Sequence, residues 1–202
     1  GGYAADMETI LQIAKKFKLK VIVDAAHALG ARYKGLDISH YGDFICYSFQ
    51  AIKQITTVEG GMLVVKNKTD YDKANILRWY GLDRLGDRDK DTRYKNFKEI
   101  GYRYIPNDVF MAIGRVQLKE NLAGVIKHRR KLAKMYRNLL ANHERVHVPE
   151  EEADRESSYW LMTVTCDDRD ELRALLAKHG IATGMAHFRN DISPVFGTKK
   201  LV

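Results

Sequence analysis

The sequence predicts an α/β fold, in which helices cover a β-sheet, and three observations support this prediction. Apolar residues recur at helical spacing over residues 7–17, and an apolar run at residues 21–23 follows at once. Two further strand-like runs, at residues 43–49 and 62–65, are bounded by glycine or polar residues. Continuous apolar runs of this length are typical of central strands that helices cover on both faces.

The first half of the chain supplies helices for this sheet. Asp6 is placed to cap the first helix, because its carboxylate can accept a hydrogen bond from the first helical turn. A second helix is expected over residues 71–79. The charged segment at residues 82–99 has no periodicity, so we expect an exposed loop there, either mobile or ordered by a partner.

The second half of the chain predicts two helices and then a small β-α-β unit. Asn107 is expected to cap a helix that runs through Leu122, and another helix is expected from about residue 125 to residue 140. The β-α-β unit comprises, in order, a strand at residues 159–165, a helix at residues 168–179 that Gly180 terminates, and a strand from residue 181 onward. This unit indicates the beginning of a smaller second domain.

Charge and composition limit the classes of function. The net charge of +8 over 202 residues is scattered, apart from a basic cluster at residues 127–131. This cluster lies in a helical pattern, so we prefer a solvated helix face to a nucleic-acid site, and an anionic substrate would also suit the positive charge. No apolar run could cross a bilayer and no hydrophobic leader opens the sequence, so we expect a cytoplasmic protein with no membrane partner. Cys46 and Cys166 lack metal-ligand spacing, and both are expected to be reduced and packed.

Three polar residues follow the predicted strand ends. Asp24 ends the first strand, Ser48 ends the second, and Lys53 comes five positions later. In open α/β sheets ligands bind beyond the carboxyl ends of the strands, so these side chains are candidates for one site. Each has an ordinary alternative. Asp24 could cap the turn that follows it, Ser48 could be a plain strand-end hydroxyl, and Lys53 could be a surface cation. His27, taken alone, is more often a structural histidine than a catalytic one.

Three stretches of the sequence resemble the successive signatures of one enzyme family. They are VIVDAAHALGARYKG, GDFICYSFQAIKQITTVEGGMLVV and KEIGYRYIPNDVFMAIGRVQL, and the family is the DegT/DnrJ/StrS pyridoxal-phosphate-dependent nucleotide-sugar aminotransferases. The first two carry an Asp-x-x-His/Gln unit and a Ser-Phe-x-x-x-Lys unit followed by Glu-Gly-Gly. The resemblance implies an aspartate-aminotransferase-like fold, called fold type I, of which the chain is expected to be a fragment. Residues 1–122 would form the later part of the large cofactor-binding domain, and residues 123–202 the connecting helix and the start of the small domain.

The resemblance also implies roles for individual side chains. Lys53 would form the Schiff base with pyridoxal 5'-phosphate, and Asp24 would pair with the pyridinium nitrogen. His27 would lie against the cofactor ring or near its hydroxyl, and Ser48 would donate to the phosphate. A protonated pyridinium is an electron sink for the carbanion formed at the substrate carbon. A desolvated lysine beside that cationic ring is a good nucleophile and proton shuttle.

The sequence departs from the family pattern in two places. Arg103 stands where family members often carry an asparagine that reaches the phosphate in the neighbouring subunit, and its guanidinium could serve there by charge. Val58 stands where a glycine usually precedes the acid-Gly-Gly unit. A β-branched residue does not readily adopt positive φ, so we expect the turn to differ.

The activity that the resemblance implies is transfer of an amino group, from glutamate, to a keto group of a nucleotide-linked deoxysugar. The parent protein would be a homodimer, and His187 either approaches the sugar or has a structural role. A sugar dehydratase of the same fold is an alternative, but such relatives carry histidine at the position of Lys53. A non-catalytic regulatory or binding protein on the same scaffold is a further alternative. Without the rest of the fold, part of the sheet's apolar surface would be uncovered, which predicts aggregation or marginal stability.

Overall fold

The computed structural model describes residues 1–84, 97–193 and 195, and the chain divides into two compact units. The first unit comprises Gly1–Lys134 and Glu151–Leu161, and the second comprises Met135–Glu150 and Met162–Val202. The predicted division at residue 122 refers to the domains of a longer fold and stays a prediction. Most of the charged segment predicted as a loop, residues 85–96, lies outside the described residues.

The described residues contain five α-helices, and the first three begin after a side chain that caps them. They are α1 (Met7–Phe17), α2 (Lys68–Leu77), α3 (Asp108–Val116), α4 (Leu122–Leu140) and α5 (Arg169–Lys178). Asp6 accepts a hydrogen bond from the Thr9 backbone N–H, and Asn107 accepts one from that of Phe110, so both predicted caps are confirmed. No helix in the described part of the chain is long and apolar enough to cross a membrane.

A π-helical turn, Gln117–Asn121, joins α3 directly to α4. The predicted break between two helices near residue 123 is therefore wrong, and the chain stays helical from residue 108 to residue 140. A glycine inside a helix costs only about 1 kcal/mol, so Gly124 does not interrupt it. The buried side chains of Ile126 and Ala133 anchor α4 instead.

The strands form three small sheets in the described residues. In chain order they are β1 (Ile22–Asp24), β2 (Arg32–Tyr33), β3 (Leu36–Asp37), β4 (Phe44–Ser48), β5 (Gly61–Val65), β6 (Val146–His147), β7 (Arg155–Glu156) and β8 (Thr165–Cys166). The main sheet has the order β1-β4-β5, in which β1 and β4 are parallel and β4 and β5 are antiparallel. A second sheet of the first unit has the order β3-β2-β7, and β6 pairs with β8 in the second unit. The three strands predicted in residues 21–65 are thus confirmed.

The predicted strands of the C-terminal part are mostly wrong. Of residues 159–165, only the last joins a strand, and residues 181–189 contain none. The helix between them is confirmed as α5, and Gly180 follows it with φ 73°. An apolar pattern specifies a strand only where a neighbouring strand is available, and residues 157–160 bind to other partners, described below.

Only one face of the main sheet is well covered in the described residues. Ile45 and Tyr47 of β4 are buried in the core of the first unit, whereas Cys46 between them is exposed, so the expectation that it is packed is wrong. On the side of Cys46, Ile22 is 70% exposed and Leu63 is 46% exposed. We call the side chains of Ile22, Asp24, Phe44, Cys46, Ser48, Leu63 and Val65 the open face, because the register places them on one side of the sheet. The prediction that helices cover both faces does not hold here.

Candidate active site

Asp24 and Ser48 lie at the same edge of the main sheet. Asp24 is aligned with Cys46 in the parallel β1–β4 pair, and Ser48 is the last residue of β4. Because parallel strands run in the same direction, both side chains stand at carboxyl ends, on the open face. The sequence prediction that these two residues lie close together is therefore consistent with the sheet register.

The Asp24 carboxylate is exposed and only partly used by the protein. Its Oδ1 accepts a hydrogen bond of 3.0 Å from the Ala26 backbone N–H, which stabilises the turn after β1. Asp24 therefore caps the turn that follows it, which was the alternative role considered for this residue, although no helix follows the turn. Since this contact engages one oxygen, the carboxylate keeps capacity for a second partner.

Lys53 lies in the loop between β4 and β5, half-buried. The loop starts with a contact from the Gln50 backbone N–H to Ser48 Oγ (3.3 Å), followed by one from the Lys53 N–H to the Gln50 carbonyl (3.0 Å). The Lys53 ammonium sits over the ring of Trp160, with Nζ 4.6 Å from the ring centroid. Lys53 is thus neither fully buried nor a freely solvated surface cation.

Trp160 joins Lys53 to His27. The His27 imidazole stacks on the Trp160 indole with ring centroids 3.6 Å apart and an interplanar angle of 13°. The indole Nε1–H donates to the Ile52 carbonyl at 2.9 Å, beside Lys53 in the chain. Two residues predicted for the site, from two different loops, therefore meet on one aromatic ring.

Buried hydrogen bonds fix the backbone at His27. Its carbonyl accepts from Gln54 Nε2 at 2.8 Å and from Ser158 Oγ at 2.9 Å, and Gln54 Nε2 also donates to Ser158 Oγ. Both Gln54 and Ser158 are buried. Buried hydrogen bonds are costly to break, so these contacts hold the His27 turn, the Lys53 loop and the 157–160 segment together, although Gln54 Oε1 is buried without a hydrogen-bond partner in the described residues.

Two arginines of the basic cluster hold the 157–160 segment. Arg129 Nη1 donates to the carbonyls of Tyr159 and Trp160, each at 3.0 Å. Arg130 donates to the Ser157 carbonyl at 2.9 Å and to the Gly30 carbonyl at 3.0 Å. The interpretation of residues 127–131 as a solvated helix face is therefore wrong for these two arginines, which have a structural task.

The loop after Lys53 contains a strained valine. Val58 has φ 67°, so the β-branched residue adopts positive φ here, and the reason for expecting a different turn does not hold. Its N–H donates to Thr56 Oγ1 at 2.9 Å. The Thr56 backbone is held in turn by the side chain of Gln117, which accepts from the Thr56 N–H (3.0 Å) and donates to the Thr56 carbonyl (2.7 Å). These contacts impose the turn although a β-branched residue disfavours it.

Arg103 and His187 were also predicted for the site. Arg103 is exposed and pairs through its backbone with Trp79, while His187 is an exposed residue of the second unit. Their roles stay predictions. Within the described residues, no group of His, Cys, Asp and Glu side chains could hold a metal ion.

Trp160, Gln54 and Ser158 were not found by sequence reasoning. Trp160 was assigned to a predicted strand, and neither Gln54 nor Ser158 stands at a position with a distinctive spacing. The contact between Gln54 and Ser158 joins residues 104 positions apart, and that between Trp160 and Ile52 joins residues 108 apart. No local pattern reports contacts of this kind.

The sequence of the chain matches a known family over almost its whole length. The sequence model of a family described as the DegT/DnrJ/EryC1/StrS aminotransferase family matches residues 1–200. GDP-perosamine synthase of Escherichia coli O157:H7 is 34% identical over 201 residues, which cover 98% of this chain and 52% of that protein. The chain therefore spans about half the length of this relative.

Solved structures give the same result for the fold. Sugar aminotransferase CalS13 from Micromonospora echinospora matches with a TM-score of 0.88 at 31% identity, over 96% of this chain and 54% of that chain. Spr1654 from Streptococcus pneumoniae, in its PLP form, matches with a TM-score of 0.83 at 23% identity, over 96% of this chain and 54% of that chain. At 23% identity, the match to Spr1654 shows a similar fold and nothing further.

Proposed function

The chain belongs to the DegT/DnrJ/EryC1/StrS aminotransferase family, and on this premise we propose that its protein transfers an amino group to a keto group of a nucleotide-linked deoxysugar. The proposed cofactor is pyridoxal 5'-phosphate and the proposed donor is glutamate. The observation that carries the proposal is the meeting of Lys53 and His27 on Trp160, in the loops that follow the carboxyl ends of β4 and β1. The relative named for a GDP-linked product supports the substrate class.

The residues present fit this cofactor by their chemistry. The donor set contains an amine for the aldehyde, an exposed carboxylate for the ring nitrogen, and a strand-end hydroxyl for the phosphate. A flat imidazole is suited to contact with an aromatic ring. When bound, pyridoxal phosphate supplies an electron sink for the substrate's α-carbanion.

Each side chain would have a distinct task. The Lys53 amine would hold the cofactor covalently until substrate arrives, and would then move a proton between substrate and cofactor carbons. Asp24 Oδ2 would keep the ring nitrogen protonated while Oδ1 retains its contact with the Ala26 N–H. Ser48 Oγ would donate to the phosphate.

We also propose a class of substrate, the nucleotide sugars, and a homodimeric assembly. The positive net charge would favour the diphosphate of a nucleotide sugar. Arg103 would contact the phosphate of the cofactor bound in the neighbouring subunit of a homodimer, and His187 would approach the sugar. These two assignments depend on the family resemblance.

Replacement of Lys53 tests the central assignment. The Lys53→Ala variant should lose the cofactor adduct that borohydride fixes to the wild-type chain, as measured by mass spectrometry of tryptic peptides. Lys127→Ala, at an exposed position of α4, is the matched control and should keep the adduct. An adduct of unchanged amount in Lys53→Ala would rule out the assignment.

A second measurement separates amino transfer from mere binding. Protein incubated with pyridoxal phosphate and glutamate should show the spectral change that accompanies formation of pyridoxamine phosphate. Cofactor binding without this change would favour the non-catalytic alternative.

A further inference from the structure

We propose that Trp160 is a positioning residue of the candidate site, holding the His27 imidazole and the Lys53 ammonium in place before the cofactor binds. The inference rests on the proposed function, because both side chains are assigned to the same cofactor. Neither the family resemblance nor the motifs in the sequence assigned a role to Trp160.

One indole contacts two different side chains of the candidate site. Its face stacks on His27 with centroids 3.6 Å apart, and the ammonium of Lys53 lies 4.6 Å from its centroid. Stacking between flat rings and attraction of a cation to an indole face both favour one arrangement over many. The contacts with the ring reduce the rotamer freedom of His27 and Lys53, and freedom that is already lost need not be lost when a ligand binds.

Trp160 is itself held by hydrogen bonds at three points. Its Nε1–H donates to the Ile52 carbonyl (2.9 Å), its backbone N–H to the Gly1 carbonyl (3.1 Å), and its carbonyl accepts from Arg129 (3.0 Å). The preceding residue, Tyr159, has φ 47°, a conformation that non-glycine residues adopt only when their surroundings impose it. A side chain fixed in this way can position others, because its own freedom is already lost.

These contacts connect three separate segments of the chain. The His27 turn and the Lys53 loop precede α4 in the sequence, whereas residues 157–160 follow it. Gln54 and Ser158 join the same three segments through the His27 carbonyl. The buried hydrogen bonds therefore join the backbones of the three segments. The indole adds contacts with the His27 and Lys53 side chains, which are proposed to meet the cofactor.

The test compares Trp160→Leu, Trp160→Phe and Trp79→Leu. The leucine variant removes the aromatic face, whereas the phenylalanine variant keeps a smaller aromatic face and loses the Nε1 hydrogen bond. Trp79→Leu is the matched control, since Trp79 packs against Tyr80 and Arg84 instead.

The first readout needs no cofactor. In the wild type, the indole ring current should shift the His27 Cε1–H resonance upfield, and a His27→Gln variant identifies the signal. The shift should vanish in Trp160→Leu and persist in Trp160→Phe and Trp79→Leu. A wild-type His27 signal at its random-coil position would overturn the inference, whether or not the leucine variant folds.

The second readout is the dissociation constant of pyridoxal phosphate. Trp160→Leu should bind about tenfold more weakly, and Trp160→Phe should restore binding to near the wild-type value. Equal affinity of Trp160→Leu and the wild type would contradict the positioning role. If the wild type forms no adduct at Lys53, the proposed function fails, and the His27 resonance still decides whether Trp160 positions that side chain.

Discussion

At the scale of single residues, Val58 shows how the fold overrides a local preference. Valine disfavours φ 67° because its Cβ crowds the following carbonyl, at a cost of roughly 1–2 kcal/mol. The Val58 N–H is nevertheless bound to Thr56 Oγ1, and Gln117 holds the Thr56 backbone from both sides. The loop that carries Lys53 therefore contains backbone strain that neighbouring contacts maintain.

This strain predicts that Val58→Gly stabilises the chain. Glycine accepts positive φ without strain, although it also gains freedom in the unfolded state, so the net gain should be about 0.5 kcal/mol. Urea unfolding followed by tryptophan fluorescence measures it, because Trp79 and Trp160 both lie in the first unit. Val116→Gly, at an ordinary helical position, should instead lower stability by a few tenths of a kcal/mol. A loss of stability in Val58→Gly would contradict the strain.

At the scale of elements, side chains at helix ends do more than terminate hydrogen-bonding patterns. Asp6 caps α1 through the Thr9 N–H and Oγ1, and it also accepts from the Tyr33 hydroxyl at 2.9 Å. The cap thus ties α1 to β2. Within the first unit, Arg129 and Arg130 in the middle of α4 attach the 157–160 segment to that helix.

The Asp6 cap predicts a pH dependence of stability. The hydrogen bond from the Thr9 backbone N–H, followed by those from the hydroxyls of Thr9 and Tyr33, lowers the pKa of Asp6 below its ordinary value. Because the folded-state pKa is the lower one, the carboxylate contributes fully above the unfolded-state pKa of about 4, and this contribution is lost as the pH falls through the folded-state pKa. The stability difference between the wild type and Asp6→Ala should therefore narrow in acid.

Urea midpoints measured from about pH 7 to about pH 3 check this dependence, because this interval includes the ordinary pKa of an aspartate, about 4. Asp6→Asn keeps a capping oxygen but does not titrate, so its midpoint should change less with pH than that of the wild type. If the urea midpoints of the wild type and Asp6→Asn change equally with pH, protonation of Asp6 is not coupled to unfolding.

At the scale of the whole chain, the open face of the main sheet is the largest departure from the expected covering of both faces. Ile22 and Leu63 expose apolar surface there, beside the Asp24 carboxylate. The comparisons confirm the predicted aspartate-aminotransferase-like fold, and they show that the chain spans about half of the proteins it matches. Exposed apolar sheet surface favours association.

The open face predicts that the isolated chain associates through its sheet. The double variant Ile22→Thr and Leu63→Thr should weaken self-association roughly tenfold, because threonine keeps strand propensity and removes apolar surface. Sedimentation over a range of concentrations measures the effect. Val109→Thr and Val116→Thr, at exposed positions of α3, form the matched control. Equal association of both double variants would place the interface elsewhere.

The sequence by itself determined the α/β class, the three strands of the main sheet, the Asp6 and Asn107 caps and the motifs that identify the family. These features depend on residues within a few positions of each other, such as Asp6 with Thr9 or Asp24 with His27. Local hydrogen bonding and periodicity report such features directly.

Only the tertiary structure decided the path of residues 157–160, the tasks of Arg129 and Arg130, the φ of Val58 and the place of Trp160. Each depends on partners far away along the chain, as in the contact of Trp160 with Ile52 across 108 positions. The free energy of these contacts exceeds the weak preference of the 159–165 pattern for a strand. Long-range packing and buried hydrogen bonds therefore built the surroundings of Lys53, which local sequence rules do not encode.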